Sequence, residues 1–294
     1  MREISNILKK YDLRAYKYEK NGKAIVTDTN NGKYVVKLKK RNNNNIYEYL
    51  NSRSFNYYPR ILNSANDNYE ITEYIEQIDM PSEQKLLDMI DLVTLLHNKT
   101  TYYKEATEDD YKKIYEDIKN NIEYLNSYYN DIITVIDSKV YMSPSEYLIA
   151  RNITKIFSTL YFCEKKIEEW YKMVEKKDKQ RVVVLHNNLS LDHFLRSKNA
   201  YLINWDKSKI DIPIFDLYKL YKKHALDYDF EILLKHYENK YPLSEDERIL
   251  FFILISLPEK IEFTDNEFEM CKKISQEIEL LYKTEKLILP YYSK

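Results

Sequence analysis

Only two glycines occur in the 294 residues, and each follows an asparagine, at Asn21-Gly22 and Asn31-Gly32. Asn-Gly is the dipeptide that best tolerates the positive φ angles of a tight hairpin, so the two sites divide residues 14–39 into an antiparallel meander. The expected strands are Ala15 to Lys20, Lys23 to Asp28 and Lys33 to Lys39, each carrying β-branched or aromatic residues. Tyr69 to Tyr74 reads as a further strand, with Glu73 to Asp79 as a hinge after it. The first turn leaves no room for a glycine-rich phosphate cover.

Beyond the hinge the pattern is helical. Ser82 is placed to N-cap a helix through His97, with Leu86, Ile90, Val93 and Leu96 at helical spacing and His97 as a packed residue at its end. Three Ser/Thr-x-x-Glu boxes mark later helix starts, at Ser143, Ser244 and Thr264. The first has Pro144 at the first helical position, where a missing N–H costs nothing, and opens a helix to about Lys176. Residues 108–137 form another helical stretch, and the charged run Glu175 to Lys179 reads as a turn. The expected class is α+β, with a sheet-rich lobe at 1–76 and a helical lobe at 77–294.

Composition excludes several classes of function. With 44% hydrophobic residues the chain is globular. Its 46 basic and 47 acidic residues leave a formal net charge of −1, so no global field favours nucleic acid or an anionic membrane. The longest apolar run, Ile249 to Leu257, is half the length of a membrane span, and the amino terminus reads as an amphipathic helix without the core of a signal peptide. Cytoplasmic synthesis is expected. Cys163 and Cys271 read as separate thiols with no metal-ligand spacing. Thirty tyrosines beside two glycines fit a bias toward AT-rich codons and establish no function by themselves.

The segment that bears on chemistry is 182–218. Val182 to Leu185 is a short apolar strand, and His186 to His193 is a polar loop that cannot extend it. Phe194-Leu195 and Tyr201 to Ile203 follow as two short strands around Arg196-Ser197-Lys198-Asn199, and Asn204-Trp205-Asp206 closes the hairpin. This layout resembles the HGDxxxxN loop and IDW/IDF motif of the aminoglycoside phosphotransferase and choline kinase superfamily, above all its CotS-type spore coat branch. The likeness extends to Tyr241-Pro242-Leu243-Ser244 and Leu257-Pro258-Glu259-Lys260, and is weakest between Lys104 and Lys179.

That resemblance implies a bilobal, protein-kinase-like fold. It sets His186 at the family's loop histidine, Asn188 at its general base and His193 at its loop metal ligand. Asn204 takes the place of the metal-binding aspartate, and Asp216 that of the aspartate bracing the catalytic loop. Lys37 on the third strand falls where the family keeps the lysine that reaches the nucleotide phosphates, and Glu48 where its helix partner lies.

The departures from the motif decide the expected mechanism. Asn188 cannot take a proton at neutral pH, which removes a term worth roughly 10²–10⁴ in rate. Magnesium prefers hard oxygen ligands, whereas His193 offers nitrogen and Asn204 a neutral amide. The leading expectation is a catalytically silent relative that binds spore coat or other proteins, and its setting comes from the resemblance. Two alternatives stay open. Asp192 as base and Asp206 as metal ligand would give an active ATP- and magnesium-dependent phosphotransferase, the two positions 204 and 206 sharing a face if the strand persists. Lys37 alone would give a metal-independent nucleotide sensor.

Overall fold

The structure is a computed structural model in which residues 2–39, 44–62 and 68–292 are described. The fold is α+β, with a small antiparallel sheet region toward the amino terminus and a larger helical region toward the carboxyl terminus. The chain forms two compact units, Met1–Thr101 with Val183–Asp211, and Tyr102–Val182 with Ile212–Lys294. The expected boundary between residues 76 and 77 falls inside the first unit, because the helix after the hinge packs there with the hairpin of the polar loop.

In the first unit, α1 (Arg2–Lys9) precedes β1 (Ala15–Asn21), β2 (Ala24–Thr29) and β3 (Gly32–Leu38); α2 (Asn44–Ser52) and β4 (Tyr69–Glu73) follow. The four strands lie in sequence order and pair antiparallel. Both glycines take positive φ, but one residue out of step with the expected turns. Asn21 pairs with Ala24, so Gly22-Lys23 is the first turn, with Gly22 at φ 57°. Thr29 pairs with Gly32, so Asn30-Asn31 turn the chain and Gly32 at φ 106° rejoins the strand. The Thr29 hydroxyl closes that turn, donating to the Gly32 carbonyl at 2.8 Å and accepting from the Asn31 N–H at 3.1 Å.

One face of the sheet is apolar: Val36 and Ile71 pack with Ile4, Leu8 and Leu13 under α1. Side chains alternate along a strand, so Lys37 and its cross-strand partner Glu70 project from the opposite face. The hinge segment is held by backbone bonds from Tyr74 N–H to Lys33 and from Ile78 N–H to Arg196, at 3.1 and 2.8 Å. The helix α3 (Ser82–Thr100) buries Leu86, Met89, Ile90, Val93, Leu96 and His97. Ser82 is its first helical residue instead of its cap. Pro81 holds the cap position, with no side-chain cap bond.

In the second unit, β5 (Tyr102–Glu105) is a strand that the sequence pattern did not reveal, since three of its four residues are exposed and no alternation marks it. It pairs with residues 179–182 of β6 (Lys179–Leu185), which therefore starts within the charged run expected to be a turn. The helices α4 (Glu108–Asp137) and α5 (Pro144–Val174) follow the expected spans closely. The Ser143–Glu146 capping box forms, and the Ser244 N–H reaches Glu247 at 3.0 Å. An unforeseen box joins Thr107 and Asp110, where the shorter aspartate replaces the usual glutamate.

The Thr264 box does not form. Chain order continues with α6 (Ile214–His224), α7 (Phe230–Lys240), α8 (Glu245–Ser256) and α9 (Glu267–Tyr292). At the start of α9, Asn266 accepts from the Glu269 N–H, and the Glu267 carboxylate is taken by the Ser145 N–H at 2.6 Å. The core of this unit gathers Ile149, Ile156, Leu160 and Ile167 of α5 against α4, α8 and α9. Cys163 is buried and Cys271 half-buried, both as free thiols. Among the described residues no helix is long and apolar enough to cross a membrane.

Candidate functional site

The candidate site lies within the first unit, where the sheet face bearing Lys37 meets the segment that follows β6. Residues 183–185 of β6 pair with β9 (Lys209–Asp211), and the hairpin between them is β7 (Phe194–Arg196) with β8 (Ala200–Leu202). Three bonds lock the two loops of this hairpin together. His186 is fully buried, and its Nε2–H donates to the Ile203 carbonyl at 2.8 Å. Asn187, held at φ 58°, donates from Nδ2 to the Lys207 carbonyl at 2.7 Å, and the Ile203 N–H donates to the His193 carbonyl at 2.9 Å.

Trp205 anchors the far side of the loop. It is buried, donates from Nε1 to the Leu202 carbonyl at 2.9 Å, and meets Tyr47, Phe55, Tyr58 and His186 edge-on at ring separations of 4.8 to 6.4 Å. Such contacts fix a ring in place. The flanking residues Asn204 and Asp206 are therefore held as well.

Both flanking side chains converge on one ammonium. Lys37 Nζ donates to Asn204 Oδ1 and to Asp206 Oδ2, each at 2.7 Å. The route differs from the expected one, in which a continuing strand would put both residues on one face. The strand stops at Leu202, Asn204 takes a left-handed conformation at φ 65° and ψ 53°, and Trp205–Lys207 is a single 3-10 turn. Asparagine adopts that conformation more readily than most residues.

Glu70 completes the constellation and was not foreseen. It is the register partner of Lys37 on β4, and its carboxyl is pushed up from the ordinary value by burial and by the neighbouring Asp206 charge, against the opposing pull of Lys37. Burial, followed by the Glu70 charge, raises the Tyr47 phenol. No local sequence pattern sets this pairing, because β3 and β4 are not consecutive in the chain and α2 lies between them. Glu48 faces elsewhere. It is exposed on α2 and lines a cavity of about 440 Å³ with Tyr58, Arg60 and Glu73, while the ion pair of Lys37 is to Asp206.

The remaining candidates divide. Asn188 is half-buried, and its carbonyl accepts from His193 Nδ1–H at 2.6 Å. A carbonyl can only accept, so a proton sits on His193 Nδ1. Asp192 is exposed on a 3-10 turn, Leu191–His193. Asp216 belongs to the second unit, fully buried in the first turn of α6.

These groups do not suit magnesium. The oxygens of Asn204 and Asp206 already share an ammonium at 2.7 Å, His193 offers nitrogen, and among the described residues no cluster of three or more His, Cys, Asp or Glu is arranged to hold a metal. A divalent cation there would meet the Lys37 charge at close range.

Solved structures place the fold. An aminoglycoside phosphotransferase from Alicyclobacillus acidocaldarius matches with a TM-score of 0.71 over 98% of this chain and 96% of its own, at 10% identity. The chain has the aminoglycoside phosphotransferase and choline kinase-like fold. Choline kinase LicA from Streptococcus pneumoniae matches this kinase-like fold at 0.51 with 18% identity, over 95% of this chain and 98% of its own. An AMP-bound spectinomycin phosphotransferase matches at 0.55 with 12% identity, over 100% and 95%. Identities this low establish the kinase-like fold alone, because activity resides in the site. No family model and no curated protein matches the sequence.

Proposed function

We propose that this protein is a kinase-fold pseudoenzyme that acts by binding, in the manner of the CotS-type spore coat proteins its sequence resembles. One observation carries the reading: Lys37 Nζ bonds both Asn204 and Asp206, so the oxygens that the sequence resemblance assigns to a divalent cation are engaged by the protein's own charge. Asn188 supports it, since an amide at the base position cannot accept the acceptor's proton. The expected partner is a protein of the spore coat or its assembly. A nucleotide is the second ligand to test, because solved neighbours carry AMP and ADP.

The deciding experiment incubates the full chain with ATP, magnesium or manganese, and hydroxylated acceptors, reading ADP release and the melting midpoint. No metal-dependent turnover is expected. ADP release that requires the metal and disappears in Asp206→Ala would overturn the proposal in favour of a phosphotransferase using Asp192 and Asp206. ATP at ~100 times its dissociation constant would add about 2.7 kcal/mol to stability. Such stabilisation without metal, lost in Lys37→Ala, would identify a nucleotide sensor. A tagged copy in sporulating cells should co-purify with coat fractions, and uniform cytoplasmic distribution would remove the coat role.

A further inference from the structure

We infer that the groove between α5 and α9 binds a small amphiphilic carboxylate, a monocarboxylate with an apolar tail of about six to eight carbons. The groove lies wholly within the second unit and is independent of the Lys37 site. Its cavity is about 230 Å³, and its wall is made apolar by Phe162 from α5 with Leu281, Ile288, Leu289 and Tyr292 from α9. At the ~30 Å³ that a water takes in the liquid, that space holds roughly eight heavy atoms. Leu289 is 59% and Tyr292 36% exposed, so the apolar wall runs out to the lip. There Phe162 meets the Tyr292 ring edge-on at 5.8 Å, and the Lys166 ammonium lies over that ring at 4.0 Å.

Lys155 gives the groove its chemical preference. Its side chain is only 9% exposed, yet among the described residues its ammonium makes one hydrogen bond, to Glu285 Oε2 at 2.6 Å, and rests over the Tyr282 ring at 4.8 Å. An ammonium carries three donors, and burying donors without acceptors is costly. The neighbouring hydroxyls are committed to the backbone: Ser158 and Thr159 donate to the Lys155 carbonyl at 2.9 and 2.8 Å, and Thr284 donates to that of Leu280 at 2.7 Å. A carboxylate at this end of the groove would satisfy the open donors while its tail covered the apolar wall. Glu285 does not prevent this, because its side chain is 60% exposed and loses little by returning to water. With Glu285 beside it, a single ammonium suits a single negative charge.

Calorimetric titration of the full chain with octanoate tests this. A dissociation constant on the order of 10⁻⁵–10⁻⁴ M is expected for a ligand of this size. Octanol, which has the same tail without the charge, should bind roughly tenfold more weakly, a comparison that needs no variant. Lys155→Met keeps the bulk of the stem and should weaken octanoate by about the same factor, since the charge-assisted bond is lost. Glu285→Gln removes the competing carboxylate and should tighten binding about threefold. Ser158→Trp, at an exposed position on the groove wall, should abolish it. Equal affinity for octanol and octanoate, undiminished affinity in Lys155→Met or Ser158→Trp, weaker binding in Glu285→Gln, or no saturable binding at millimolar octanoate would each overturn the inference. Self-association that Leu289→Ser removes would give the groove to a second copy of the chain and overturn it as well. None of these readings involves nucleotide, metal or the first unit, so their failure is separate from failure of the pseudoenzyme proposal.

Discussion

The two units each set a half-buried cation against a carboxylate, and they do so to different ends. In the second unit, Arg181 grips Glu247 through Nε and Nη2, donates to the Pro242 carbonyl at 2.9 Å, and lies over the Tyr241 ring at 4.7 Å. Glu247 in turn accepts the Ser244 N–H at the start of α8. Every strong group of that pair has a second task, and the planar guanidinium suits bidentate binding. In the first unit, Lys37 is a point charge held by one oxygen each from Asn204 and Asp206, with Glu70 at the paired position on β4. The Lys37–Asp206 pair keeps some water, with side chains 17 and 22% exposed against 20 and 5% for Arg181 and Glu247. An over-determined pair is built to hold a fold together. An exchangeable pair at a site is built to be displaced.

The largest effect that would break this contrast is at Glu247. Removing one partner of a buried pair strands the other, so Glu247→Ala should cost about 3–5 kcal/mol in urea unfolding. A loss under about 1 kcal/mol would place the pair with ordinary surface bridges and dissolve the comparison. Lys37→Met comes next. It should cost about 1–3 kcal/mol, because Asp206 and Asn204 retain some access to water, and adding Asp206→Asn should recover part of that loss. A cost equal to that of Glu247→Ala would make Lys37 structural. Thr107→Ala, which deletes a cap of α4, should cost about 1 kcal/mol, whereas Thr264→Ala, outside its expected box, should be near neutral.

Legibility in the sequence followed the range of the interactions involved. The meander, the long helices α4 and α5 and the Ser143 box were readable, since turn residues and helical spacing act within a few positions. The Thr264 box failed because Glu267 found a distant donor at Ser145, something no local pattern contains. At the site, Lys37, Asn204 and Asp206 were each readable as candidates through the resemblance, which paired Lys37 with Glu48. Their shared hydrogen bonds were not readable, because they depend on the left-handed turn at Asn204 and on the aromatic ring around Trp205. Glu70 stayed hidden for a related reason: a one-residue change in the β3–β4 register would have turned it to the other face.

The smallest expected effect concerns pH and sharpens the contrast most. Burial is the main cause that holds the Glu70 carboxyl above its ordinary value of 4.5, so the folded state takes up the proton more readily than the unfolded chain. The stability this group contributes is therefore fully present below about pH 4.5 and is lost as pH rises through its folded value. Glu70→Gln removes that dependence. In melting scans between about pH 4 and pH 8, the variant should gain on the wild type as pH increases. A gain at neutral pH would mean that the charged Glu70 is kept at a cost to stability. If the variant instead loses ground as pH rises, the Lys37 attraction outweighs burial, and the first unit's cluster stabilises the fold in the same way as Arg181 and Glu247.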